Sequence, residues 1–83
     1  MANHDTLSRT GQSTSDSALT IGEAVRQARR AHGLTQSQLA GLAGTGLRFV
    51  SELERGKPSI SLDKTLAVLA VLGLRVRVEA TAR

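Results

Sequence analysis

The chain has no cysteine, tryptophan or tyrosine, and one proline, one methionine and one phenylalanine among its 83 residues. Without cysteine there is no disulfide framework and no thiolate metal site. With Phe49 as the single aromatic side chain, single strands or RNA cannot be recognised by stacking several bases. Long apolar runs are also missing. The longest, Leu66 to Leu74, has nine residues, whereas a membrane-spanning helix needs about 20. The N-terminus has no basic-then-apolar signal pattern, so the default expectation is a cytoplasmic protein without membrane partners. No Ser/His/Asp or Cys/His set can be assembled, and no enzyme activity or cofactor is expected. His4 and His32 have no Cys, Asp or second His at ligand spacing, so no metal site is expected, and both should face solvent. Gly41, Gly44 and Gly46 resemble a nucleotide loop only superficially. They follow a helical pattern rather than a strand and lack the phosphate-binding lysine.

What is present is positive charge. The formal net charge is +4 and the sequence pI about 11.2. Residues 1–19 carry −1 (Arg9 against Asp5 and Asp16) and are rich in Ser, Thr, Asn, Asp and Gln. Such a segment cannot bury enough surface to offset its ordering entropy, and the expectation is a disordered tail. The body from residue 20 onward carries +5, ten Lys/Arg against five Asp/Glu. A basic small domain suits a polyanion, nucleic acid first.

Four helices are predicted over residues 20–73. The first starts at Thr20, where Thr20 and Glu23 make a capping-box pattern, and carries an Ile21, Ala24, Val25, Ala28 stripe as far as Gly33. The second has Thr35 as N-cap with Gln38 three residues on, and runs to about Ala43, with Leu39, Ala40 and Ala43 facing inward. Gly44 permits a sharp exit. The third starts near Gly46 and ends at Arg55; Gly56-Lys57-Pro58-Ser59 is a loop. Ser61 caps the fourth, Leu62 to Leu72, with Leu62, Leu66 and Leu69 expected in the core. Residues 74–83 form a last segment in which Leu74, Val76, Val78 and Ala80 alternate with Arg75, Arg77 and Glu79. Period two predicts a strand. A lone strand is not stable, so Leu74, Val76 and Val78 are expected to pair with the same strand of a second copy, making a homodimer.

The stretch from Gln36 to Leu53 is the most informative. Small or apolar residues at Ala40, Gly44, Val50 and Leu53 have the spacing two helices need to cross tightly, a helix-turn-helix, whose main use is reading double-stranded DNA. On a wheel, Phe49, Val50 and Leu53 fill an arc of about 100°. Leu47, Arg48, Ser51, Glu52 and Arg55 cover the other side. Arg48 can donate two hydrogen bonds to guanine; Ser51 can bond a base edge; Leu47 can touch a thymine methyl. Glu52 can either accept from cytosine or orient Arg48. Phosphate contacts are expected from Thr35, Gln36, Gly46, Arg55, Lys57 and Ser59. Glu54 and Arg29 read as a structural ion pair.

The run LTQSQLAGLAGTGLRFVSELERGKPS resembles the lambdoid-repressor type of helix-turn-helix, the XRE class, over about Ile21 to Leu72. The resemblance implies a mostly α fold of four to five helices. It also implies an ion pair between Arg29 and Glu54, base reading by Leu47, Arg48, Ser51 and Glu52, and a phosphate contact from Gln36. IGEAVRQARRAHGLTQ, SELERGKPSISLDKTLAVLAVLGL and the tail LRVRVEA are similar to HipB-like antitoxins. That narrower resemblance implies a bacterial, nucleoid-associated homodimer whose C-terminal strand pairs across the dimer. It implies a repressor of its own operon, bound at an inverted-repeat operator, that neutralises a HipA-like Ser/Thr kinase toxin. Two departures stand out. Gly46 occupies a helix N-cap where relatives usually have Ser, and the N-terminal tail is long. A stand-alone phage-type regulator and a protein-interaction module with incidental DNA binding are the competing readings.

Overall fold

A computed structural model describes residues 14–80. Among them are four helices: α1 (Thr14–Ala31), α2 (Gln36–Ala43), α3 (Leu47–Glu54) and α4 (Leu62–Val71). α1 and α2 both pack on α3, and α2 also packs on α4. Val25, Leu39, Ala40, Val50, Leu53, Val68, Leu69 and Leu72 form one buried core, with Ala28, Leu34, Ala43, Phe49, Ile60 and Leu74 packed around it.

The helix ends follow from local chemistry. Thr35 Oγ1 accepts from the Gln38 backbone N–H at 3.0 Å, and Gln38 Oε1 accepts from the Thr35 N–H at 2.9 Å, a closed capping box. Gly44 ends α2 at φ 73°, where any side chain would be strained, and the Thr45 N–H then donates back to Ala40 O at 2.9 Å. Ser61 caps α4 by accepting from the Lys64 N–H at 3.2 Å.

Two expectations are corrected. α1 begins at Thr14, six residues before Thr20, so residues 14–19 are helical. Residues 1–13 of the expected tail lie outside the described residues. The T-x-x-E pattern is therefore interior to the helix, and a Ser/Thr/Asp-rich turn that favours caps precedes it. Leu19 from this added turn lies over Gly56 after α3. In α4, Leu69 is buried but Leu62 is 68% and Leu66 43% exposed; Thr65, Val68, Leu69 and Leu72 make the inner face. α4 is apolar nearly all round, so two helical stripes fit its sequence and periodicity alone does not choose. Residues 74–80, expected to pair with a second copy, make no ladder with the other described residues of their own chain. Leu74 packs against the core, whereas Val76 is half exposed and Val78 93% exposed.

Gly22, which belongs to none of the patterns above, sets the α1–α3 crossing. A Cβ there would collide with the carbonyl oxygens of Leu53 and Glu54, the latter at 2.9 Å. The two helix backbones touch at this point, which places α3 relative to α1. A glycine inside an otherwise well-formed helix, where it costs about 1 kcal/mol against alanine, was the available signal.

Candidate nucleic-acid interface

α3 has one face locked inside and one outside. Val50 and Leu53 are buried and Phe49 is half-buried. Leu47 and Arg48 are exposed, Ser51 and Glu52 half-buried, and the helix ends at the exposed Arg55. Gly46 is the N-cap of α3, with extended backbone and no side chain to bond the first turn. Lys57 and Ser59 stand exposed on the following loop, and Thr35 is exposed at the start of α2.

Beneath this face a buried carboxylate ties three helices together. Glu54 of α3 is 3% exposed and accepts from Arg29 Nε of α1 at 2.6 Å, Arg29 Nη2 at 3.1 Å and Gln36 Nε2 of α2 at 3.0 Å. Arg29 Nη1 also donates to Leu34 O at 2.9 Å. Burial pushes the Glu54 carboxyl up, but the hydrogen bonds from Arg29 and Gln36, with the charges of Arg29 and Arg26, outweigh it and leave it below the usual glutamate value. The same bond from Glu54 raises Arg29 against the lowering effect of burial. Gln36, expected from sequence to contact phosphate, is in this structure a strut between α2 and α3. Nothing in the spacing of Gln36 and Glu54 signalled that bond.

On the outer face Glu52 does similar work in water. Its Oε2 accepts from Arg48 Nε at 3.2 Å, and its Oε1 from Lys57 Nζ at 3.3 Å. These bonds, Lys57 first and then Arg48, hold the Glu52 carboxyl below its ordinary value. Arg48 is otherwise 90% exposed. Lys64 of α4 sits with its Nζ 5.9 Å from the centre of the Phe49 ring.

His32 is exposed as expected, with its Nε2 3.3 Å from Leu72 O; His4 lies outside the described residues. Among the described residues no group of three or more His, Cys, Asp or Glu gathers as a metal site. None of their helices is long and apolar enough to cross a membrane.

The helix-turn-helix family profile matches residues 25–78, from the middle of α1 to near the end of the exposed tail. Over 56 residues, 68% of this chain and 74% of the relative, the chain is 48% identical to an uncharacterised HTH-type transcriptional regulator, y4mF, of Sinorhizobium fredii.

Proposed function

This chain belongs to the helix-turn-helix family, and on that premise we propose that it is a sequence-specific DNA-binding repressor of transcription that acts as a homodimer. The observation that carries the reading is α3 itself, its apolar face fixed in the core and its Leu47–Arg48 face exposed to solvent. In this reading Arg48 donates to guanine O6 and N7, Leu47 touches a thymine methyl and Ser51 bonds a base edge. Thr35, Gln36, Gly46, Arg55, Lys57 and Ser59 hold phosphates. A primary amide has two N–H groups, so Gln36 can serve Glu54 and a phosphate together. The name of the Sinorhizobium relative, a transcriptional regulator, supports the same reading.

The dimer rests on the alternating segment 74–80, whose backbone makes no ladder with the other described residues. Two copies paired antiparallel about a two-fold axis supply each other's backbone partners. Their two α3 helices then enter successive major grooves of an inverted repeat, about 34 Å apart. The antitoxin role, with a HipA-like Ser/Thr kinase as second partner, rests on the resemblance of the α1, α3–α4 and tail motifs to HipB-like antitoxins.

Binding to the protein's own upstream DNA, footprinted across a salt series, tests the first part. Arg48→Ala should cost about 1–3 kcal/mol on the operator and far less on random duplex. Equal losses on both would contradict base reading. Lys57→Ala should weaken both alike and lower the salt slope by about one. Co-purification with the product of the neighbouring reading frame, with and without DNA, tests the second part. A neighbour that is no kinase and does not bind leaves a stand-alone regulator.

A further inference from the structure

The exposed face of α3 carries one acid among its bases, and each oxygen of that acid already accepts a bond from a cation. Oε2 of Glu52 holds Arg48 and Oε1 holds Lys57. Each oxygen keeps a second lone pair, but both are turned to cations of the protein, and beside phosphates the carboxylate is repelled. Its effect on Arg48 is more specific. The bond is made to Nε, and among the described residues neither terminal amino group of Arg48 bonds the protein. A guanidinium held by Nε points Nη1 and Nη2 outward as a pair, the edge that matches two adjacent acceptors on guanine. Without that bond, a side chain 90% exposed samples many rotamers and loses more freedom when it docks.

Resting on the DNA-reading role above, we propose that Glu52 reads no base and is the positioning residue that makes Arg48 selective for guanine. Its negative charge also opposes sequence-blind attraction to phosphate, so the same side chain raises the ratio of specific to nonspecific binding from both ends.

Selection from a library of randomised duplexes tests this with the full-length protein. Wild type should enrich a guanine in each half-site. Glu52→Gln and Glu52→Asp should each cut that enrichment about twofold, with unchanged melting temperature. Glu52→Gln removes the charge; Glu52→Asp keeps it but shortens the reach, so a loss in both assigns the effect to positioning. In an Arg48→Ala background, Glu52→Gln should change selectivity no further. Three results overturn the inference: variants that keep the guanine, a loss confined to a cytosine position, or a loss in Glu52→Gln alone. A wild type that selects no motif instead removes the DNA-reading role, and this inference with it.

Discussion

The helical body and the segment after it are built from similar residue types and end in opposite states. Over α1–α4 every helix closes its backbone bonds within itself, with α2 and α4 capped by side chains from the residue before them. Residues 74–80 alternate just as regularly, yet they make no ladder and leave Val78 93% exposed. The difference lies in where the hydrogen-bond partners are. A helix finds them four residues away in the same chain; a strand finds them on a neighbour. One chain can therefore complete the body, while the proposed dimer would complete the tail.

The comparison breaks most violently if the body depends on more than its own contacts. It should fail at Gly22 whatever the tail does. Gly22→Val places side-chain atoms against the Leu53 and Glu54 carbonyls and must push α1 off α3. Overpacking of this kind reaches about 3 kcal/mol, against a total of roughly 5 kcal/mol for a domain this small. Thermal unfolding followed by circular dichroism should show a broad, early transition. A variant that melts like wild type would mean that the α1–α3 contact is looser than this geometry.

The Glu54 knot is the next weakest point. Glu54→Ala leaves Arg29, only 13% exposed, without its partner, a loss of about 3 kcal/mol. Its pH dependence has a definite sign. The Glu54 carboxyl is lowered in the folded protein, so its stabilisation is complete above the unfolded glutamate value and is lost as pH falls through the folded one. Urea midpoints measured downward from neutral pH should fall through that window for wild type, with a smaller fall for Glu54→Gln. Parallel curves would place the acid sensitivity elsewhere.

Most of the body was legible because its signals are local. Thr35 with Gln38, Gly44 and Ser61 each fix an end within four residues, and α2, α3 and α4 fall within a residue or two of the expected bounds. Features that depend on distant residues were harder to read. The bond between Gln36 and Glu54 spans 18 positions and the Gly22 contact more than 30. Leu62 and Leu66 are expected inward because a helix apolar nearly all round has little polar side to orient it. The candidate site residues of α3 were readable as a face, since a helix wheel sorts them. The two-handed hold of Glu52 was only half visible: Arg48 stands at i, i+4 on the same helix, while Lys57 lies beyond the end of α3.

The smallest effect on the body should come from Val76→Pro, and it sharpens the comparison most. Proline removes one backbone donor and fixes φ, which disrupts a ladder at its middle. Val76 is half exposed and belongs to no helix, so the helical signal should be unchanged and the stability of the monomer should shift by less than about 0.5 kcal/mol. Sedimentation should nevertheless read monomer where wild type reads dimer. Operator affinity should fall with it, because two half-sites on one duplex are then bound independently rather than by linked copies. A Val76→Pro protein that remains dimeric would move the interface onto the helices, where Leu62 and Leu66 stand exposed. A protein that also lost its helical signal would show that the tail is part of the body after all, and the division between a self-sufficient half and a half completed by the dimer would be gone.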